Sequence, residues 1–214
     1  MQNDKIKEYW EGEAGIYSEG IKAELKSETA ENWKNLILEY APEKEHLEVL
    51  DVGCGPGFFE IMLGKEGHHV TGIDITENMI HEAKENVKAA GLSADLMTMD
   101  CHNLNFPDET FDMVICRNIT WTLDDPQKAY KEWLRVLKKG GLLVLSDLDQ
   151  GNLVEVVKCT GFCILHQEDQ TALWREYYLE AIWNDSFCCE EYKLLQKQYK
   201  GKKLSYTAVI GRKE

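Results

Sequence analysis

The chain has 214 residues, enough for one domain with a substantial core. Hydrophobic residues are 43% and charged residues 29%, a balance that excludes a disordered or fibrous chain. Lys and Arg total 24 against 38 Asp and Glu, so the formal net charge is −14, a field that disfavours nucleic-acid and anionic-membrane partners.

The opening, MQNDKIKEYWEGEAG, is polar and lacks the apolar core of a signal peptide. Tyr9, Trp10 and Tyr17 stand in this polar, glycine-broken stretch and need a surface to cover, which predicts a lid over residues 1–45. SETAENWKNLILEYA reads as a helix with Ser27 as cap and Trp33, Leu36, Ile37 and Tyr40 on one face. LEVLDVG is a strand, FFEIMLGKEG a helix closed by Gly67, and HHVTGID a second strand. TENMIHEAKENVKAAG is a helix that starts at Thr76 and stops before Gly91. ADLMTMD and FDMVICRN are the third and fourth strands, separated by the turn FPDET. DPQKAYKEWLRVLKKGG is a helix with Pro126 in its first turn, and LLVLSD is a fifth strand. Beyond it NLVEVVKCTG reads as helix, FCILHQ as strand, residues 170–198 as mostly helix, and KLSYTAVIGRK as a closing strand.

This alternation predicts an α/β, doubly wound fold of about seven mostly parallel strands, with an antiparallel closing strand and helices on both faces. One domain is expected, with a core over 46–149 and substrate-side helices in 150–214. Ligands in such sheets bind at the carboxyl ends of the strands, here Gly53–Gly57, Asp74, Asp100–His102, Arg117–Trp121 and Ser146–Asp149. No stretch approaches the roughly 18 apolar residues of a membrane span, so a cytoplasmic location is expected. Seven cysteines follow as thiols. Cys159 and Cys163, and the adjacent Cys188 and Cys189, lack zinc-site spacing, so no metal is expected.

The loop VLDVGCGPGFF carries the most chemistry. Its glycines are spaced Gly53-x-Gly55-x-Gly57, unlike the G-x-G-x-x-G of pyrophosphate loops. Pro56 removes an amide donor that a phosphate would use, and the Asp51 carboxylate would repel one. A cationic ligand meets neither objection. S-adenosylmethionine carries a sulfonium and an ammonium and no phosphate. Asp74 ends the second strand, where an acid can accept from both ribose hydroxyls, and Asp100 could accept from the adenine amine. Ile75, Met79 and Leu104 are apolar candidates to sandwich the purine.

With these motifs the chain resembles the class I S-adenosylmethionine-dependent methyltransferases, in particular the small-molecule group that includes quinone-biosynthesis C-methyltransferases. VLDVGCGPG, VTGIDITENMI, MDCHNLNFPDETFDMVICRN and EWLRVLKKGGLLVLSD carry the resemblance, from about Tyr9 to Asp147. It implies that Asp51, Gly53, Cys54, Gly55, Asp74, Asp100 and Cys101 line the cofactor, that Arg117 shapes the methionine end and acceptor pocket, and that Tyr17 covers the site. His102 departs from the family pattern and is the best-placed base, with a structural or solvated loop histidine as the alternative; a thiolate or amine acceptor would need no base, and that outcome is the expected one. Arg117 could clamp a substrate carboxylate or form a surface ion pair, and Trp121 could wall the pocket or pack the sheet. Trp174, Tyr177, Tyr178 and Trp183 form an aromatic set at near-helical spacing, read as core. The expected partner is a small molecule, with the protein a monomer or homodimer. An RNA or protein methyltransferase and a non-catalytic S-adenosylmethionine-binding regulator are the alternatives.

Overall fold

The computed structural model describes residues 2–149, 152–171 and 205–214. The aromatic set, Cys188, Cys189 and nearly all of the helical expectation for 170–198 lie outside the described residues. Helix α1 covers Gln2–Glu24 and α2 Glu28–Tyr40, with Ser27 accepting from the Thr29 amide at 3.2 Å. Then come β1 (Glu48–Val52), α3 (Phe58–Lys65), β2 (His69–Asp74), α4 (Glu77–Ala89), β3 (Asp95–Thr98) and β4 (Phe111–Arg117). A 3-10 turn at Thr120–Thr122, α5 (Pro126–Val136), β5 (Leu137–Asp149), α6 (Leu153–Thr160), β6 (Phe162–Asp169) and β7 (Ser205–Lys213) follow.

The strands form one seven-stranded sheet in the order β3-β2-β1-β4-β5-β7-β6. The fold is α/β and Rossmann-like. β1 to β5 run parallel, and β7 runs antiparallel to both β5 and β6. β7 is last in sequence yet lies inside the sheet rather than at its edge. The middle strands bury both faces, which is why β4 reads as an unbroken apolar run apart from Asp112 and Arg117. One core cluster packs Tyr130 and Trp133 of α5 against the sheet, and a second packs Trp33, Ile37, Phe58 and Phe59 of α2 and α3.

Two elements depart from expectation. α5 stops at Val136, although Lys138 and Lys139 would extend it, because Leu137 already pairs with Phe111. Gly140, at φ 74°, then absorbs the register shift before Leu142 pairs with Met113. α1 is continuous through Gly12, Gly15 and Gly20, which docking on α4 compensates. Its Glu11 carboxylate accepts from the Glu77 and Asn78 amides at 2.9 Å each, serving orphan donors at the start of α4. Thr76, the expected cap, instead gives its hydroxyl to Asp74. Among the described residues no helix is long and apolar enough to cross a membrane.

Candidate active site

The winding reverses between β1 and β4, and a cleft of about 1020 Å³ including its mouth opens there at the carboxyl ends of the strands. Its floor is Gly53 and Gly55. Asp74, Ile75 and Met79 line one side, Asp100, Cys101 and His102 another, and Arg117, Asn118, Ile119 and Trp121 a third. Ile6, Trp10 and Tyr17 of α1 close it from above, and Tyr206 of β7 adds to the wall. The sequence-predicted residues therefore converge, with three differences. Asp51 and Cys54 lie buried beneath the loop instead of lining the cleft, and Leu104 belongs to the core.

Gly53 has φ 72°, and a Cβ there would fall 2.5 Å from Cγ2 of Ile119, so only glycine fits. The amides of Gly53 and Cys54 both donate to Ile73 O, at 2.8 and 3.0 Å, tying the loop to β2. Asp74 completes the tie. Its Oδ2 accepts from the Gly55 amide at 3.1 Å, while Oδ1 accepts from the Thr76 amide at 2.9 Å and hydroxyl at 2.7 Å. Burial raises the Asp74 carboxyl's pKa, and these donors oppose the rise.

Asp100 Oδ1 accepts from the His102 amide at 2.9 Å and lies 2.7 Å from His102 Nδ1. Burial would raise the Asp100 pKa, but the His102 donors outweigh it and hold the carboxyl below its ordinary value. That assigns the Nδ1–H tautomer. His102 Nε2 is buried, without a hydrogen-bond partner, and 3.4 Å from Asp124 Oδ1. The sequence reading gave His102 no orienting partner; Asp100 is that partner. Asp100, Cys101 and His102 also bring one potential metal ligand atom each within 4.8 Å of one another. Two of these already bond each other, and burial pushes the Cys101 thiol up to about 12, which keeps it protonated.

Arg117 differs most from expectation. It is neither a surface residue nor open to a substrate carboxylate. Its fork holds Glu24 of α1 at 2.7 and 3.1 Å, with the guanidinium carbon 4.2 Å from the Phe58 ring centroid. The pair fastens the end of α1 to the end of β4. Tyr17 lies over Gly55, at 3.5 Å from its Cβ position, and stacks edge-on with Trp10 at 5.5 Å. Trp121 donates its indole N–H to Asn118 O at 3.0 Å.

Sequence reasoning included Asn118 only within the strand-end stretch Arg117–Trp121 and gave it no role of its own. It has φ 63°, and both polar atoms of its side chain are buried without partners while the residue faces the cleft. A left-handed backbone and an orphan amide at a cleft wall leave a polar group there free to meet a ligand. Its place right after β4 was the one signal available in the sequence.

Comparison with known proteins agrees with this geometry. Residues 50–145 match the methyltransferase domain family. The chain is 37% identical over 143 residues to a phosphatidylethanolamine N-methyltransferase of Cereibacter sphaeroides, covering 64% of this chain and 68% of that protein. It is 36% identical over 126 residues to a demethylmenaquinone methyltransferase of Listeria welshimeri, 56% of this chain and 53% of that one. The chain thus spans about two thirds of the first relative and about half of the second. Among solved structures, the cyclase SpnF superposes with TM-score 0.73 at 22% identity over 87% of this chain and 82% of that one. Phosphoethanolamine N-methyltransferase 2 of Haemonchus contortus, in complex with S-adenosyl-L-methionine, superposes with TM-score 0.66 at 22% identity over 85% of this chain and 52% of that one. At that identity the structural likeness speaks for the fold alone, and a cyclase shares it.

The chain belongs to the class I S-adenosylmethionine-dependent methyltransferases. The site fits that family's cofactor: a side-chain-free floor at Gly53, a buried carboxylate at Asp74 and an orphan amide at Asn118 suit a ligand with hydroxyls, an amine and positive charge.

Proposed function

We propose that this chain transfers a methyl group from S-adenosylmethionine to a small, weakly polar acceptor that loses a proton as it is methylated. One observation carries the reading: His102, oriented by Asp100, stands in the wall of the same cleft as Gly53, Gly55 and Asp74. A base oriented by a carboxylate is the arrangement that takes a proton from a hydroxyl or an acidic carbon. The aromatic and aliphatic walls from Trp10, Tyr17, Ile119 and Trp121 favour an apolar acceptor over a charged one. Arg117 is already paired with Glu24, so an anionic headgroup gains little from it. The net charge of −14 argues in the same direction against RNA.

When bound, the cofactor supplies an electrophilic methyl group on a sulfonium. The chain's own residues then have four tasks. Gly53 and Gly55 allow close backbone approach, and Asp74 keeps lone pairs for the ribose hydroxyls. Asp100 and the Cys101 amide would hold the adenine, with Ile75 and Met79 lining its side of the cleft. Tyr17, Trp121 and Arg117 shape the methionine end and the acceptor side, and exclude water. His102 Nε2 accepts the acceptor's proton. Orientation of this kind is worth up to roughly 7–11 kcal/mol of barrier. In this reading residues 1–45 serve as the lid, 46–149 as the cofactor core, and 150–214 complete the sheet and the acceptor side.

The test is transfer of an isotopically labelled methyl group into a metabolite extract. A labelled small product soluble in organic solvent is expected. Label only in RNA or protein, or none with any fraction, contradicts the proposal. A second expectation concerns Asp74. Asp74→Ala should weaken cofactor binding by about 1.5–3 kcal/mol for each charge-assisted hydrogen bond lost, measured by calorimetry. Unchanged affinity would remove Asp74 from the site.

A further inference from the structure

Asn118 directly follows β4, the strand that pairs with β1 on the far side from β2. Its backbone is held twice. The amide donates to Ser146 O at 3.0 Å, and the carbonyl accepts from the Trp121 indole N–H at 3.0 Å. Ile119, the next residue, packs so close to Gly53 that a Cβ there would meet its Cγ2. Asn118 is therefore fixed beside the glycine floor, at φ 63°, a left-handed conformation that asparagine adopts more readily than most residues. The backbone is satisfied and the side chain is not. Nδ2 and Oδ1 are both buried, and neither has a hydrogen-bond partner. Such atoms are rare in folded proteins, so their retention at a cleft wall calls for a reason.

Other polar side chains of the cleft are engaged within the protein. Asp74 holds Gly55 and Thr76, Asp100 holds His102, the Thr122 hydroxyl donates to Ile119 O, and Arg117 holds Glu24. Among the described cleft residues, Asn118 alone leaves a donor and an acceptor both buried and unpaired. A primary amide without partners can present the two in either order. Its complement is a ligand group with an acceptor and a donor on neighbouring atoms. An α-amino acid is such a group: its carboxylate accepts and its ammonium donates.

Charge and position point to the same group. Asp74 and Asp100 border the cleft, and the Arg117 fork is committed to Glu24, so an entering carboxylate meets two acids and a cation already neutralised. A neutral amide can donate to that carboxylate without the cost of burying a further charge. The strand order β3-β2-β1-β4 sets Asp74 and Asn118 two strand spacings apart, about 10 Å. With adenine at Asp100 and ribose at Asp74, the rest of an adenosyl ligand runs over Gly53 towards Asn118.

We propose that the Asn118 side chain recognises the α-amino-acid end of S-adenosylmethionine, Nδ2 donating to the carboxylate and Oδ1 accepting from the ammonium. This rests on the methyltransferase reading and adds to it a specificity-determining residue that acts on the cofactor, not on the acceptor. Adenosyl compounds that lack the amino acid leave the amide unpaired and are disfavoured for that reason.

Calorimetry with S-adenosylhomocysteine and with 5′-methylthioadenosine tests this, since the second ligand keeps the nucleoside and sulfur but has no amino acid. Asn118→Gly deletes the amide and takes up the left-handed backbone without strain. It should weaken S-adenosylhomocysteine by about 10- to 100-fold and leave 5′-methylthioadenosine within about twofold. Its melting midpoint without ligand should stay close to that of the wild type. If that variant does not fold, Asn118→Asp makes the same comparison, because it keeps the shape and removes the donor. Equal losses for both ligands mark a structural role, and no loss for either marks an amide that serves the acceptor. Either result overturns the proposal and leaves the methyltransferase reading intact, as does a wild type that binds both ligands equally well. Binding of neither ligand by the wild type overturns both.

Discussion

Glu24→Ala is expected to destabilise the protein by about 3–5 kcal/mol, the cost of leaving a partner charge buried and unpaired. Arg117 has a side-chain exposure of 6% and Glu24 of 10%, so neither can turn to water without moving α1 or β4. The guanidinium also rests on Phe58 and Phe59, which fixes the fork facing α1. For a chain of this length, a loss of that size lowers the unfolding midpoint by roughly 6–20 °C, read by circular dichroism. Arg117→Ala should cost a similar amount, plus the lost stacking. Replacing both partners, Glu24→Leu with Arg117→Met, should recover most of the loss, because no charge is then stranded. If each single variant melts like the wild type, the pair does not anchor the lid.

The parts of the fold legible in the sequence were those that depend on local pattern. Apolar runs ending in Gly53 and Asp74 read as strands, and the four-residue spacing of Ala129, Trp133 and Leu137 reads as a helix. Tertiary pairing decided the rest. Leu137 fits the helical pattern, yet its pairing with Phe111 makes it strand. No local signal says that β7 inserts between β5 and β6, since strand order depends on contacts some 40 residues or more away. Thr76 has the chemistry of a cap, but Glu11, 66 residues before Glu77, takes the work and frees the Thr76 hydroxyl for Asp74.

The site divides in the same way. Loop glycines and strand-end acids have fixed places in such a sheet, so the position of Gly53, Gly55, Asp74 and Asp100 at the cleft was legible from sequence order alone. Arg117 was found but its partner was not, because Glu24 lies 93 residues away. Asp51, two residues before Gly53, was read as facing the ligand, and burial puts it underneath. Asp100 and His102, only two residues apart, were readable as a pair: an aspartate often accepts from the backbone two residues on, and that turn brings the imidazole to the same oxygen.

That pairing sets the remaining expectation. His102→Ala should lower kcat by roughly 100- to 10,000-fold with an acceptor that must be deprotonated, while cofactor affinity stays unchanged. The Nδ1–H bond to Asp100 fixes the ring and leaves the Nε2 lone pair as its basic site. Asp124, 3.4 Å away, is placed to steady the imidazolium that forms. His102→Gln retains a polar group of similar reach but no base, and should be nearly as slow as the alanine variant. An acceptor that arrives ionised, such as a thiolate, needs no base, and both variants should methylate it at close to the wild-type rate. Trp121→Ala should instead act mainly on KM, through a loosened pocket. A His102→Ala enzyme that turns over a hydroxyl or carbon acceptor normally would show that orientation alone carries the reaction and that the dyad is structural.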